Sequence, residues 1–214
     1  MVEKIQWLGH SSVKIEGEKT IFIDPWKLDT EEKADIILIS HSHRDHLSLE
    51  DVKNLSKDDT VVVTTQDSAE QLSGNVKTLK PGDSVVIDGI LVEAVPAYNL
   101  NKDFHPKENN WIGFVITVNG KRIYYCGDTD RIPEMNDLSA NIVIVPVGGK
   151  YTMTAEEAAE AVNLIKPELA IPIHYGDIIG SENDALRFKE MCNVPVTIKP
   201  FIVNNSTFAG AKSL

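Results

Sequence analysis

The stretch IILISHSHRDHL, residues 36–47, constrains the fold more than any other part of the chain. Its four consecutive aliphatic residues do not alternate with polar ones. They therefore suit a strand buried on both faces, with packing layers above and below it. The strand gives way at once to His41, His43, Asp45 and His46. SLEDVKNLSK follows and starts like a helix: Ser48 is placed to cap it, Glu50 and Asp51 fall in the first turn, and Val52 and Leu55 share one face. A corner between a buried strand and a helix can fan several side chains toward one point, which a straight strand cannot do.

Imidazole and carboxylate groups gathered in this way favour zinc, iron or manganese over metals that prefer thiolates. The plainer reading is a polar surface turn that is rich in histidine. It is the weaker one, because the chain has six histidines and three of them lie within these six positions.

Elsewhere the N-terminal half reads as short strands, KIQWLG, SSVKIEG, KTIFID and TVVVTT, separated by Gly and polar turns, with a short polar helix over QDSAEQLS. VKTLKPGDSVVIDGILVEAVPAY alternates like a hairpin, with Pro81-Gly82-Asp83 and Asp88-Gly89 as turn signals. Residues 99–110 have no periodicity and form a long loop, a feature often tied to function. WIGFVITVNGKRIYYCGD is a hairpin turning at Asn119-Gly120.

From residue 141 strands and helices alternate. NIVIVPV precedes a helix over TAEEAAEAVNLIKP, capped by Thr154 with Glu157 as its box partner. LAIPIHY precedes a helix over SENDALRFKEMC, capped by Ser181, and a last strand, VPVTIKPF, leads into a polar tail. Many strands, with helices after several of them, indicate two sheets carrying helices on their outer faces rather than one parallel sheet. A length of 214 residues suits one domain over 1–214.

The net charge of −11, from 21 basic and 32 acidic residues, weakens a nucleic-acid reading, since phosphate binding needs clustered Lys and Arg. No apolar run approaches the roughly 18–20 residues of a membrane span, and MVEKIQWLGHSS lacks the parts of a signal peptide. Cys126 and Cys192 are too few for a disulfide framework. These features point to the cytoplasm. They leave a homo-oligomer open.

Further metal ligands are expected just beyond strand ends. YYCGDTD supplies Asp128, IPIHYGD supplies His174 and the long loop supplies His105. Each alone would be ordinary, a turn acid or a structural histidine. Their order along the chain strengthens the joint reading.

In this order the chain resembles the metallo-β-lactamase superfamily of hydrolases: HxHxDH at His41, His43, Asp45 and His46, a later histidine, the GD of CGDTD and the histidine of HYG. The opening WLGHSSVKIEG and the IFIDP motif resemble the subgroup containing ascorbate-phosphate lactonase and the phospholipase-D-like enzyme acting on N-acyl phosphatidylethanolamine. The resemblance implies an αββα sandwich with two metals at one edge. It assigns His41, His43 and the loop histidine to the first metal and Asp45, His46 and His174 to the second, with Asp128 bridging. A mononuclear site is the alternative.

His105 arrives six residues after Asn99, which follows the end of its strand. Either the loop folds His105 back to the metal, or Asn99 or water takes its place. His105 is preferred, because a zinc site missing its third imidazole would bind poorly.

The chemistry implied is hydrolysis by a hydroxide on a dinuclear centre of two divalent ions, zinc first, with iron or manganese as alternatives. Asp45 would orient the water or accept its proton. Substrates of this kind are small esters, lactones or phosphorylated molecules. The alternatives are a phosphodiesterase, with a nuclease disfavoured by charge, and a non-enzymatic structural or redox metal protein.

Other residues carry two readings each. Asp24 is either a turn acid or a carboxylate that fixes the tautomer of a ligand histidine. His10 either joins two strands or faces the pocket. Lys150 could greet an anionic group with Tyr151 lining the pocket, although a plain strand-to-helix loop is the simpler account. Trp26 and Trp111 are core or pocket rim, and Cys126 packs as a small hydrophobe.

Overall fold

The computed structural model describes residues 1–200. It contains two six-stranded sheets. The first is built in chain order from β1 (Ile5–Gly9), β2 (Ser12–Glu16), β3 (Thr20–Ile23), β4 (Ile36–Leu38), β5 (Val61–Thr64) and β6 (Val76–Thr78). In it β1, β2 and β3 pair antiparallel, and β3 to β6 run parallel. The second sheet holds β7 (Ser84–Ile87), β8 (Ile90–Pro96), β9 (Ile112–Val118), β10 (Lys121–Tyr125), β11 (Ile142–Pro146) and β12 (Leu169–Ile173). Its strands β7 to β10 pair antiparallel and β10 to β12 run parallel.

The aliphatic run at β4 behaves as its composition predicts. Ile36 and Leu38 enter the main core, which draws on both sheets, while Ile37 and Ile39 turn the other way. There they meet Val52 and Leu55 of α1 (Leu49–Leu55), so this helix covers the outer face of the first sheet. Full burial of such a side chain is worth about 1.5–3 kcal/mol. Ser48 caps α1 through the Asp51 N–H, as its position suggests. On the second sheet α3 (Ala155–Ile165) and α4 (Glu182–Met191) pack beside β11 and β12. Thr154 and Glu157 form the expected reciprocal cap of α3. The architecture is the αββα arrangement of two mixed sheets with outer helices.

Three local expectations change. The helix after β5 is only α2 (Gln66–Ala69). Residues 76–98 are not one hairpin: β6 pairs with β5 in the first sheet, and the Pro81-Gly82-Asp83 turn lies where the chain crosses to the second. Only the Asp88-Gly89 turn closes a hairpin, between β7 and β8. The expected last strand, VPVTIKPF, shrinks to a single bridge of Val196 to Ala170, and its final residue lies outside the described part of the chain, as does the tail. Two prolines remove backbone donors from that segment, which limits its pairing. Among the described residues no helix is long and apolar enough to cross a membrane.

The pairing directions decide where the site lies. In the first sheet β1 and β3 to β6 point the same way, and in the second β8, β10, β11 and β12 do. The loops that follow β1, β3 and β4 therefore share one edge of their sheet. The loops that follow β8, β10, β11 and β12 likewise share one edge of the other.

Candidate metal centre

Those two edges bring the sequence-predicted residues together. His10 follows β1, Asp24 follows β3, and His41 to His46 follow β4; His105, Asp128 and His174 follow β8, β10 and β12. His10, Asp24 and His174 adopt the left-handed conformation, with φ of 45°, 45° and 61°. Such angles are uncommon outside glycine and are most tolerated by Asn, Asp and His. Cross-sheet hydrogen bonds knit the edges at this point: the His174 N–H donates to the His10 carbonyl at 2.8 Å, and the Tyr125 hydroxyl to the Ser11 carbonyl at 3.0 Å.

Three overlapping groups have ligand atoms close enough to share an ion: His41, His43 and His105; His41, His46 and Asp128; and His10, Asp45, His46 and His174. Asp128 sits between them. Its Oδ1 lies 3.3 Å from His46 Nε2, and its Oδ2 lies 3.3 Å from His105 Nε2 and 3.2 Å from His174 Nε2. On one side His41 Nε2 and His43 Nδ1 face each other at 3.1 Å. On the other, Asp45 Oδ2 is 3.7 Å from His46 Nε2. All seven expected ligands are thus in one cluster.

Buried partners behind the cluster fix the tautomers of its histidines. Asp24, fully buried, accepts from the Ser40 backbone N–H at 2.7 Å, the Ser40 hydroxyl at 2.6 Å, the Tyr125 hydroxyl at 2.6 Å and His46 Nδ1 at 2.7 Å. With its proton directed at Asp24, the Ser40 hydroxyl must accept from His41 Nδ1, 2.9 Å away. Both imidazoles therefore present a bare Nε2 to the cluster when neutral. His105 is set in the same way, its Nδ1 lying 3.0 Å from Asn99 Oδ1. It is His105 whose Nε2 comes within 3.3 Å of Asp128, with Asn99 on its other ring nitrogen. The Nε2 atoms of His105 and His174 are buried without a hydrogen-bond partner, which is costly unless a ligand meets them. Buried imidazole lone pairs converging on carboxylates fit divalent metal ions.

For His41 and His43 the electrostatics agree with this arrangement. Burial, reinforced by His46, drives the His41 pKa well below its ordinary value, and burial with His105 lowers that of His43. Both are held neutral, as a ligand must be. Burial would also lower His46, but Asp128 and Asp24 on either side outweigh it and raise its pKa well above normal. Asp128 is the converse: burial opposes its charge, yet His174 and His46 hold its pKa far below the carboxylate range. Asp45 is opposed by burial too, and the His10 hydrogen bond and His46 keep it ionised.

His10 is more closely engaged than its place between two strands suggests. It is buried, its Nε2 lies 2.9 Å from Asp45 Oδ2, and its ring centroid is 4.0 Å from that of His174. Trp111 packs on His41 and His43 at 4.7 Å from each and donates to Asp67. Trp26 stands 5.4 Å from His10. Burial pushes the Cys126 thiol pKa up, in keeping with a packing role. Lys150 is exposed, its ammonium 4.9 Å from the Tyr151 ring centroid. Ser40, Tyr125 and Asn99 were not anticipated in these roles, because no motif marks a residue that acts through another.

The fold is that of the metallo-β-lactamase superfamily, and residues 4–174 match the model of the beta-lactamase superfamily domain. The chain is 33% identical over 204 residues to a UPF0173 metal-dependent hydrolase of Thermoplasma acidophilum, covering 88% of this chain and 90% of the relative. A solved structure from Parabacteroides distasonis, provisionally described as a metal-dependent hydrolase, superposes with a TM-score of 0.83 at 35% identity, covering 91% of each chain. Igni18, a metallo hydrolase of Ignicoccus hospitalis, superposes with a TM-score of 0.78 at 25% identity, over 92% of this chain and 94% of that one. This chain belongs to the UPF0173 metal-dependent hydrolase family.

Proposed function

We propose that the protein is a hydrolase holding two divalent metal ions and acting on a small-molecule ester, lactone or phosphorylated compound. Zinc is the first choice of metal, with iron or manganese as alternatives. The observation that carries this reading is the position of Asp128, whose carboxylate reaches His105 of one ligand group and His46 and His174 of the other. His41, His43 and His105 would hold one ion and Asp45, His46 and His174 the other, with Asp128 shared. When bound, such ions lower the pKa of water toward about 7 and polarise the oxygen of the scissile group.

The chain's own residues supply the rest. Asp24 and Ser40 keep His46 and His41 in the tautomers that leave Nε2 free. Asp45 has a side-chain exposure of 25%, far more than Asp128 at 5%, so it can meet substrate. Held ionised by His10 and His46, it is a weak proton acceptor and a good orienting group for a nucleophilic water.

The relatives' names, metal-dependent hydrolases without a stated substrate, support the reaction type. The WLGHSS and IFIDP resemblance supports a small lactone or phosphorylated substrate. A phosphodiesterase is the second reading, since the same donors suit an in-line attack at phosphorus. The partly exposed Asp45 argues against a closed structural site. Elemental analysis of protein purified without chelator, followed by screening of lactones, esters and phosphodiesters, tests the proposal. Two ions per chain and saturable turnover are expected. Failure to bind metal after reconstitution would refute it.

A further inference from the structure

We propose that Asp130 is a positioning residue for this centre: through Asn99 it sets the tautomer and place of His105. The inference rests on the metal-binding reading above.

The segment around Tyr98 is fastened to the one that carries Asp128. The Tyr98 N–H donates to Thr129 Oγ1 at 3.2 Å, and the Asp130 N–H to the Tyr98 carbonyl at 2.9 Å. Asp130, 3% exposed, turns its carboxylate back onto the loop. Its Oδ2 accepts from the Leu100 N–H at 2.8 Å; its Oδ1 accepts from Asn99 Nδ2 at 3.1 Å and from Lys102 Nζ at 2.5 Å.

This fixes which way the Asn99 amide points. Its nitrogen donates to Asp130 and to the Tyr151 carbonyl, also at 3.1 Å, so its oxygen must face His105. That oxygen accepts twice, from the His105 backbone N–H and from Nδ1, each at 3.0 Å. The Asn99 N–H closes the ring by donating to the His105 carbonyl at 2.8 Å. An amide oxygen can only accept, so the proton of His105 sits on Nδ1 and the lone pair on Nε2. Nε2 is the buried atom without a partner that lies 3.3 Å from Asp128. Without Asp130 as acceptor, only the Tyr151 carbonyl and the His105 backbone N–H would oppose turning the amide over to offer N–H to Nδ1. With the amide turned over, the proton would move to Nε2, where it blocks coordination. One short stretch thus carries both the shared carboxylate and the group that prepares a histidine six residues beyond Asn99.

The test is to measure zinc stoichiometry and affinity, by competition with a chromophoric chelator, in wild type, Asp130→Asn, Asn99→Asp and the double variant that exchanges the two. The melting temperature of each metal-free protein is measured alongside. Asp130→Asn should weaken one zinc equivalent by about 10- to 100-fold, as expected for loss of an outer partner of a metal ligand. Asn99→Asp alone sets two carboxylates together and should weaken it too. In the exchange variant the carboxylate at position 99 still accepts from His105. The amide at position 130 donates to that carboxylate while its oxygen accepts from the Leu100 N–H. Because a carboxylate at position 99 cannot donate to the Tyr151 carbonyl, only part of the affinity should return, with the exchange variant binding zinc more tightly than either single variant. A purely structural role would lower the metal-free melting temperature and leave zinc affinity of the folded protein unchanged. Equal zinc affinity in wild type and Asp130→Asn, or an exchange variant no better than the single ones, overturns this proposal alone. A wild-type protein that binds no zinc overturns it together with the proposed function.

Discussion

His46 Nδ1 stands 2.7 Å from Asp24 Oδ2, and neither side chain has measurable exposure to solvent. The carboxylate is shared with the Ser40 and Tyr125 donors, so its loss leaves several buried groups unpaired. Asp24→Ala is expected to destabilise the protein by about 3–5 kcal/mol, the usual result of breaking a buried charged pair. Asp24→Asn, which keeps one acceptor, should cost less stability but still weaken metal binding. Urea unfolding and zinc titration of both variants check this, and unchanged stability of the alanine variant would contradict it.

His46→Ala removes a ligand that, in the proposed reading, serves one ion only. Metal content should fall from about two ions per chain toward one. Elemental analysis decides it; retention of both ions would place His46 outside the centre.

Chelation should abolish hydrolysis while the sandwich survives, since the core of both sheets contains none of the ligands. Far-ultraviolet circular dichroism before and after treatment with a chelator is the measurement. Unfolding on metal removal would favour a structural site.

The metal-free protein should lose stability as pH falls from 7 to 5. Burial lowers the pKa of His10, His41 and His43 below 6.5, so the stability they give as neutral groups is full above that value and lost as pH falls toward their folded values. His46 runs the other way. Its raised pKa gives stability that is full below 6.5 and lost as pH climbs through the folded value. Asp45 and Asp128, with depressed values, give way only below about pH 4. Melting temperatures across the range test the balance, and a rise on acidification would contradict it.

Gly148 is a matter of space. A Cβ there would lie 2.4 Å from the His174 carbonyl oxygen and 2.8 Å from Ile179 Cγ2. Gly148→Ala should therefore displace His174, costing about 1–3 kcal/mol and some metal affinity. Thermal denaturation and metal titration of that variant report the two effects separately.

What the sequence showed of the site was the part carried by residue type and local order. His41 to His46, Asp128 and His174 each follow a strand with a clear local pattern, so their convergence was legible from the chain alone. The pairing of His10 with Asp45, 35 residues apart, was not, nor was the shared use of Asp24 by Ser40 and Tyr125. Such contacts depend on which strands neighbour one another, and short apolar segments do not encode that individually. The same limit explains the sheet crossing near Pro81: a Pro-Gly-Asp turn reads alike whether the chain folds back in one sheet or passes to another. His105 was ambiguous because its link to the site is a side-chain clasp by Asn99 rather than a strand end.

The proposed ligands come from both sheets, His41 to His46 from the first and His105, Asp128 and His174 from the second. In the proposed reading each ion would be gripped from both sheets, a rivet through the edge of the sandwich. Prising the sheets apart would have to shear it, whereas the chain must bring its sheets together before the rivet can be set. Metal should then lengthen the lifetime of the folded protein far more than it hastens its formation.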